Sequence, residues 1–250
     1  MLSESRKLQI LNIVNEQNSV TLSELKEMLD ASESTIRRDI TELDREGKLI
    51  KVFGGALAIN ENVTFDELSM AQKSTMNSAE KKRIGEYAAS LIRPGDYVYI
   101  DSGTSTAFLC EALNEKDAVY ITNAVAHARV MALKGFKVFL IGGELKETTE
   151  AVVGETAILS LQKYHFSTGF FGTNGISVRK GFTTPDIREA TMKRVAMSCT
   201  EEDRCYILAD HDKFGVVSTV SFGEATCAQV ITDRKPVEKY DKKCRVLVVK

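Results

Sequence analysis

From residue 97 to the end of the sequence, short apolar runs alternate with stretches of helical periodicity. The apolar runs cover residues 97–100, 118–122, 137–141, 166–172, 205–209, 228–232 and 245–249. The helical stretches cover residues 105–113, 124–134, 155–163 and 186–199, and another helix precedes them near residues 77–92. This alternation predicts an α/β domain with a largely parallel sheet, because parallel strands need a crossover between them. We expect this domain to cover residues 77–250.

The first part of the chain carries a different pattern, of three amphipathic helices. The first helix is predicted over residues 5–16. Thr21 and Glu24 have the spacing of a capping box, which predicts that a second helix begins directly after Thr21. A third helix is predicted over residues 33–46, where Gly47 ends it.

Two short β-prone runs follow the third helix, in the sequence KLIKVFGGALAI at residues 48–59. The adjacent glycines between these runs predict a hairpin. Three helices and a hairpin in this order predict a winged helix-turn-helix over residues 1–57, in which the hairpin is the wing. The polar, weakly periodic residues 58–76 form a predicted linker.

Any binding of nucleic acid has to rest on local charge, because the chain as a whole is slightly acidic. Its 33 Lys and Arg residues are outnumbered by 35 Asp and Glu, which gives a formal net charge of −2. On a wheel of the third helix, Ile36, Ile40 and Leu43 share a narrow apolar face, and basic and hydroxyl residues share the opposite face. We expect that face and the wing to contact double-stranded DNA through Ser34, Thr35, Arg37, Arg38, Thr41, Arg45, Lys48 and Lys51. A separate flank is acidic and contains Asp39, Glu42 and Glu46. The alternative is a helical bundle whose polar face is merely solvated.

The most informative stretch of the α/β region is YVYIDSGTSTAFLCEAL, residues 97–113. A strand ends in Asp101, and a loop of small and hydroxyl residues then opens directly into a helix. Backbone N–H groups at a helix start, together with Ser and Thr hydroxyls, form an anion site suited to phosphate. The loop matches neither the nucleotide triphosphate motif nor the dinucleotide fingerprint. For this loop alone, the alternative is an ordinary turn with an N-cap.

Small and polar residues also follow other predicted strands, which supports a binding site at the carboxyl ends of the sheet. The candidate effector-binding residues are Asp101, Ser102, Gly103, Thr104, Ser105, Thr106, Thr122, Asn123, Gly142, Gly143, Asn174, Gly175, Thr183, Asp210 and Lys213. Asn174, Gly175 and Thr183 are expected in loops. Together these residues predict a pocket for a phosphorylated sugar or polyol. Glu189 and Lys193, four residues apart, predict an ion pair on a helix surface, although Lys193 could also reach a ligand.

The segment SESTIRRDITELDREGKLIKVFGGA, residues 32–56, resembles the signature of the DeoR family of bacterial transcriptional repressors. The resemblance rests on STIRRDI and on the GGA of the wing, and it extends over essentially the whole chain. It implies a C-terminal α/β sensor domain similar in fold to ribose-5-phosphate isomerase and glucosamine-6-phosphate deaminase. In that family the domain binds a sugar phosphate, which alters operator binding, and the resemblance implies that DSGTST carries the phosphate loop.

The stretches TTEAVVG and GFTTPD are most similar to repressors of fructose and related sugar operons. The resemblance therefore favours fructose 1-phosphate as the effector, while tagatose 6-phosphate and other hexose phosphates stay open. We expect a homo-oligomer, either a dimer or a tetramer.

Two other functions compete with a ligand-controlled repressor. One is a sugar-phosphate isomerase or deaminase-like enzyme fused to a DNA-binding domain. Asp101, Asp210 and Lys213 could serve such an enzyme, but no further carboxylate or histidine constellation supports them. His211, next to Asp210, is expected to be a bystander or part of the pocket rim. The other is a constitutive DNA-binding protein whose second domain serves only assembly. We expect the repressor and no enzymatic activity.

The remaining composition favours a cytoplasmic protein that needs no metal or cofactor. Its five cysteines include no C-x-x-C pair, which fits buried thiols in a reducing compartment better than disulfides or zinc. The three histidines have no metal-ligand spacing. The sequence has no run of about 18 apolar residues and no secretory signal, so no membrane contact is expected.

Overall fold

The computed structural model describes residues 3–17, 19–58, 62–63 and 70–249. Contacts divide the chain into two units, one of residues 1–61 with 237–242 and one of residues 62–236 with 243–250. Within the described ranges, none of the helices combines the length and the apolar character that a membrane crossing requires.

The first unit consists of three helices and a small antiparallel sheet. Its elements are α1 (Ser3–Gln17), β1 (Ser19–Thr21), α2 (Leu22–Leu29), α3 (Glu33–Arg45), β2 (Ile50–Val52) and β3 (Gly55–Leu57). The sheet has the order β1-β3-β2, so the hairpin of β2 and β3 is extended by β1. The predicted winged helix-turn-helix fold is therefore confirmed.

Two local devices set the geometry of this unit. At the start of α2 the Glu24 N–H donates to Thr21 Oγ1 (3.2 Å), and the Thr21 N–H donates to Glu24 Oε2 (2.7 Å), which is the predicted capping box. In the wing, Gly54 turns the chain with a φ of 85°. A Cβ on Gly55 would lie 2.2 Å from the carbonyl oxygen of Val20. Only glycine therefore lets β3 approach β1 this closely.

The apolar faces of the helices and the sheet meet in one core. Its buried members are Ile10, Val14, Val20, Leu25, Leu29, Ile36, Ile40, Leu43, Leu49, Ala56 and Ala58. Ile36, Ile40 and Leu43 are the predicted apolar face of α3, so their burial fixes the rotation of that helix. The opposite face of α3 consequently points outward.

The second unit is an α/β domain. Its elements in chain order are β4 (Asn62–Val63), α4 (Met70–Thr75), α5 (Ser78–Ser90), β5 (Tyr97–Ile100), α6 (Thr104–Ala112), β6 (Val119–Thr122), α7 (Val125–Leu133), β7 (Lys137–Leu140), β8 (Glu144–Lys146), β9 (Ala151–Val153), α8 (Glu155–Leu161), β10 (Thr168–Gly172), β11 (Gly175–Ser177), β12 (Gly181–Thr184), α9 (Ile187–Ser198), β13 (Cys205–Leu208), β14 (Val216–Val217), β15 (Val220–Gly223), β16 (Gln229–Thr232) and β17 (Arg245–Val248). A short helix, α10 (Glu238–Asp241), precedes β17 and groups with the first unit.

Seven strands form one sheet of order β17-β16-β13-β10-β5-β6-β7, and every neighbouring pair is parallel. These strands are the seven apolar runs of the sequence, so the predicted parallel sheet is confirmed. The direction of winding reverses between β5 and β10. At such a reversal the carboxyl ends of adjacent strands leave a crevice. Asp101 directly follows β5 there, and Gly172 ends β10.

A second sheet, of order β11-β12-β15, is antiparallel. Gly175 and Thr183, which were expected in loops, are paired partners on β11 and β12. The expectation was wrong because the short runs Gly175–Ser177 and Gly181–Thr184 show no clear alternation. Pairing with neighbouring strands determines their structure instead.

Two short elements lie within the predicted linker. β4 pairs in parallel with β14. α4 is held by Lys81 of α5, whose buried Nζ donates to the carbonyl oxygens of Lys73 and Met76, the latter at 2.7 Å. The other parts of that linker, residues 59–61 and 64–69, lie outside the described residues.

Candidate functional site

The outward face of α3 carries most of the residues predicted to contact DNA. Ser34, Arg37, Arg38, Thr41 and Arg45 are exposed, and Thr35 is partly buried. The N–H of Thr35 donates to the N-cap hydroxyl of Ser32 (3.3 Å), so the start of α3 is well formed. Within the described part of the chain, the side chains of Arg38 and Arg45 make no hydrogen bond or ion pair, which leaves both guanidinium groups available.

The acidic flank of α3 is neutralised by α1. Asp39 is buried and accepts from Arg6 Nε at 2.5 Å, and Glu42 pairs with Lys7. The hydrogen bond from Lys7 holds the pKa of Glu42 below its ordinary value. The negative charges beside the basic face are thus compensated inside the module, and the exposed face stays basic.

The wing is fastened to the same face of α3. The Lys51 N–H donates to Asp44 Oδ1 (2.8 Å), and Lys51 Nζ donates to Thr41 Oγ1 (2.9 Å). The Thr41 hydroxyl donates in turn to the carbonyl oxygen of Arg37 (2.7 Å). Lys51 therefore links the wing to the outward face of α3.

Two basic residues of the predicted set already have carboxylate partners. Arg37 pairs with Glu33 one turn earlier (2.6 Å). Lys48 pairs with Glu46 (2.7 Å) and with Glu238 of α10 (3.0 Å). Lys48 would have to leave these partners in order to bind a phosphate.

A second candidate site lies at the crevice between β5 and β10. Asp101 Oδ2 accepts from the Gly172 N–H (3.1 Å) and forms a buried ion pair with Lys193 Nζ, which also donates to the Gly172 carbonyl oxygen (3.1 Å). Burial raises the pKa of Asp101, and the Lys193 ammonium opposes that rise. Asp101, Gly172 and Lys193, which are far apart in the sequence, are therefore joined at the crevice.

The hydroxyl-rich loop after Asp101 is supported from below. Asn123 Oδ1 accepts from the Ser102 N–H and from the Tyr99 hydroxyl, both at 3.1 Å. Thr106 Oγ1 donates to the Asp101 carbonyl oxygen (2.7 Å) and lies 3.1 Å from His127 Nε2. These contacts hold one side of the loop. The other side, with Ser102, Gly103, Thr104 and Ser105, lines a cleft that a ligand can enter.

Burial lowers the pKa of His127 to about 4, against a weaker opposing hydrogen bond to the Gly103 carbonyl. The imidazole is therefore neutral at pH 7 and serves as a hydrogen-bonding support for the loop. His127 is a buried structural residue of this site, and the sequence pattern alone had not indicated it.

The loop forms one wall of a cleft. The cleft is lined by Met70, Lys73, Ser102, Gly103, Thr104, Ser105, Thr149, Gly172, Thr173, Asn174, Glu189, Lys193 and Lys213. Six of the predicted effector-binding residues are in this set, namely Ser102, Gly103, Thr104, Ser105, Asn174 and Lys213. The start of α6 adds backbone N–H groups, since its first residues have no side-chain cap. The cleft thus combines amide, hydroxyl and ammonium donors, which is the chemistry that binds a phosphorylated polyol.

The other predicted effector-binding residues lie behind the cleft. Thr122 Oγ1 accepts from the Ala124 N–H (3.1 Å). Thr183 Oγ1 donates to the Gly175 carbonyl oxygen (3.2 Å) and accepts from the Ser218 N–H (2.9 Å). These contacts are structural supports.

Asp210 supports the cleft through Lys213, whereas the exposed glycine pair after β7 does not line it. The Lys213 N–H donates to the Asp210 carbonyl oxygen (3.1 Å), so Asp210 positions the lysine that reaches the cleft. Asp210 Oδ2 is buried and has no hydrogen-bond partner among the described residues. Gly142 and Gly143 follow β7, and a Cβ on Gly143 would lie 2.7 Å from the Val153 carbonyl oxygen.

The prediction of a surface ion pair between Glu189 and Lys193 is wrong. Both side chains are buried, at 7% and 3% exposure, and both line the cleft. Lys193 pairs with Asp101, while Glu189 Oε1 accepts from Thr149 (2.6 Å) and Lys146 (3.1 Å). Their spacing places both residues on one face of α9, but it does not say which face is buried. Lys73 and Thr173 were not predicted, and Thr149 was noted only as part of the stretch TTEAVVG, because tertiary structure alone brings these residues to the cleft.

The carboxylates of Glu189 and its neighbour Asp186 are held in their charged form. Burial raises the pKa of Glu189, but Lys193, Thr149 and Lys146 together bring it below its ordinary value. Asp186 caps α9 and pairs with Lys146 (3.1 Å). Despite partial burial, hydrogen bonds from Arg188 and Lys146 lower the pKa of Asp186 to about 2.

Comparisons with known proteins match both parts of the chain. The profile of the DeoR-like helix-turn-helix domain matches residues 6–62, and that of the DeoR C terminal sensor domain matches residues 76–234. A Bacillus subtilis (strain 168) protein described as an uncharacterized HTH-type transcriptional regulator FruR is 36% identical over 100% of both chains. The lactose phosphotransferase system repressor of Staphylococcus aureus (strain NCTC 8325 / PS 47) is 35% identical over 96% of each chain.

Among solved structures, ribose 5-phosphate isomerase A from Methanocaldococcus jannaschii is similar over 55% of each chain, with 13% identity and a TM-score of 0.40. The family assignment rests on the two matched domains and on the full-length relatives. The chain therefore belongs to the DeoR family of sugar-operon transcriptional repressors.

Proposed function

We propose that this repressor binds its operator through α3 and the wing, and that a sugar phosphate in the cleft of the second unit changes its operator affinity. Fructose 1-phosphate is the favoured effector. The observation that carries the proposal is the convergence of loop amides, hydroxyls and Lys213 on one cleft at the reversal of the sheet. The choice of fructose is supported by the relative named FruR and by the stretches TTEAVVG and GFTTPD.

On the DNA side, Arg38 and Arg45 contact phosphates or base edges, and Ser34 and Thr41 support them. Their exposure supports this role. A helix-turn-helix protein that reads two half-sites needs two copies related by symmetry. We therefore propose a homo-oligomer, a dimer or a tetramer.

The cleft has a regulatory role in this proposal and catalyses no reaction. A sugar-phosphate isomerase needs a carboxylate base that can reach the substrate carbon. Among the acid–base candidates considered from the sequence, Asp101 Oδ2 already accepts from Lys193 and Gly172, and His211 Nδ1 is engaged with Asp233 at 2.8 Å. Turnover of ribose 5-phosphate, fructose 6-phosphate or glucosamine 6-phosphate by the purified protein would contradict the regulatory role.

The proposal is tested by fluorescence anisotropy of the full chain on labelled DNA from upstream of its own gene. Fructose 1-phosphate, fructose 6-phosphate, tagatose 6-phosphate and glycerol 3-phosphate are added in turn at fixed salt, with free fructose as the control. A shift of the binding curve by one phosphate, and none by the free sugar, is the expected result. Tight DNA binding that no phosphate shifts would leave the second unit as an assembly module.

A further inference from the structure

Among the residues that the structure describes, the charged groups around the cleft fall into two sets of opposite net sign. One set contains Asp101, Lys193, Glu189, Lys146 and Asp186, which interact as ion pairs or electrostatic neighbours. With Arg188, which pairs with Asp186, and Glu144, which pairs with Arg188, four carboxylates and three cationic groups give this set a net charge of −1. We call it the carboxylate floor.

The other set surrounds Lys81. Burial is the main reason that the pKa of Lys81 is lowered, and Lys213 and Lys73 lower it further while Asp210 and Asp212 oppose them. Three ammonium groups and two carboxylates give a net charge of +1. The loop amides at the start of α6 add positive potential in the same cleft. A phosphate therefore binds at the loop and Lys213, away from Glu189.

Glu189 is the member of the carboxylate floor that is open to a ligand. Its Oε1 accepts from Thr149 and Lys146, whereas Oε2 accepts from no described residue and is not sealed inside the protein. Lys146 and Thr149 fix the side chain in place, so it does not turn away when a ligand enters. A fixed, charged carboxylate oxygen accepts hydrogen bonds from hydroxyls and repels a second anionic group.

We propose that Glu189 determines effector specificity, by binding hydroxyls of a sugar monophosphate and rejecting sugars that carry a second anionic group, such as bisphosphates. This inference rests on the proposed function, because it assumes that the cleft binds a sugar phosphate. It adds the class of ligand and the residue that selects it.

The test is titration calorimetry of the full chain with two matched pairs of probes, at constant ionic strength. The pairs are fructose 1-phosphate with fructose 1,6-bisphosphate, and tagatose 6-phosphate with tagatose 1,6-bisphosphate. One of the two monophosphates will bind the natural protein more tightly than the other. That monophosphate is expected to bind about tenfold or more tightly than the bisphosphate of the same sugar. A difference of that size is expected because the second phosphate replaces a hydroxyl that donates to the carboxylate, and the carboxylate repels it.

Three variants assign the preference to Glu189. Glu189→Gln keeps the shape but loses the charge, and it is expected to reduce the monophosphate preference by about tenfold. Glu189→Asp keeps the charge and is expected to keep most of the preference. Glu86→Gln removes a carboxylate from an exposed position of α5 outside the cleft and is expected to change neither affinity.

The outcomes separate the two proposals. A bisphosphate that binds the natural protein as tightly as its monophosphate overturns the role of Glu189 and leaves the proposed function intact, whether or not the variants fold. The same holds if Glu189→Gln folds and retains the full preference. If neither monophosphate binds, the proposed function and this inference both fail.

Discussion

At the residue scale, the buried pair of Asp101 and Lys193 joins the ends of β5 and β10 to α9. Lys193 donates to Asp101 Oδ2 and to the Gly172 carbonyl oxygen, so one side chain satisfies two strand ends. A buried ion pair adds little net stability compared with an apolar pair of the same shape, but the loss of one partner is costly. The pair is therefore a positional constraint on the cleft.

Lys193→Met is expected to lower the free energy of unfolding by about 3–5 kcal/mol at pH 7, because Asp101 would remain buried without its ammonium partner. Burial already raises the pKa of Asp101. A group whose pKa is raised in the folded state contributes stability at low pH and loses it as pH rises. The deficit of the variant should therefore shrink as pH falls.

Urea unfolding at several pH values measures this deficit. Lys163→Met, at an exposed position, is the matched control. The double variant Asp101→Asn with Lys193→Met is expected to recover much of the loss. If the single and double variants lose the same free energy of unfolding, the loss comes from the changed side-chain shape and not from the uncompensated charge.

His127 gives the second prediction at this scale. Its pKa of about 4 in the folded protein lies below its ordinary 6.5, so the unfolded chain binds more protons between these values. Stability is therefore lost as pH falls through this range, by about 2 kcal/mol at pH 5 relative to pH 7.5.

His127→Gln keeps a hydrogen-bonding group without the titration, so it should lose less stability between the two pH values. The measurement is thermal or urea unfolding at both. His165→Gln, at an exposed histidine, should behave like the natural protein. Identical pH profiles for His127→Gln and the natural protein would contradict a buried neutral imidazole.

At the element scale, α3 shows how much of a binding surface the sequence alone predicts. The spacing of Ile36, Ile40 and Leu43 was enough to orient the helix and to predict its basic face. The neutralisation of the acidic flank by α1 was not predictable, because the pairing of Asp39 with Arg6 joins residues 33 positions apart. The same limit applies to α9, where spacing placed Glu189 and Lys193 on one face without showing that this face is buried.

Arg38→Ala is expected to weaken operator binding by about 1–3 kcal/mol if Arg38 reads a base, or to reduce the salt slope by about 1 if it contacts a phosphate. Its affinity for the effector should not change. Lys213→Ala should do the reverse. Arg129→Ala, an exposed arginine of α7, is the matched control in anisotropy and calorimetry. A parallel loss of both affinities in Arg38→Ala would mean that the two sites have been misassigned.

At the scale of the whole molecule, all seven strands of the main sheet were predictable as apolar runs, but their order was not. Apolar periodicity reports the burial of a segment, while strand order depends on crossovers that leave no local pattern. The reversal between β5 and β10 follows from that order. The meeting of Ser102, Thr149, Glu189 and Lys213 in one cleft could therefore be established only from the fold.

Regulation across the molecule carries a thermodynamic requirement. If the effector changes operator affinity by a given factor, operator DNA must change effector affinity by the same factor, and a coupling of about 1–3 kcal/mol is expected. Calorimetry with fructose 1-phosphate, with and without saturating operator DNA, should give the ratio found by anisotropy. Unequal ratios would mean that a third equilibrium, such as oligomer assembly, takes part.

The strand order also sets the sequence of events while the chain is being synthesised. β5, β6 and β7 leave the ribosome first, β10 then adds to the free edge of β5, and β13, β16 and β17 extend the sheet outward. Residue 172, which bounds the crevice, emerges before Lys193 does. Until α9 follows, Asp101 lacks its ammonium partner, and burial favours the protonated form of its carboxyl. The emergence of α9 therefore adds the group that opposes this rise in the pKa of Asp101.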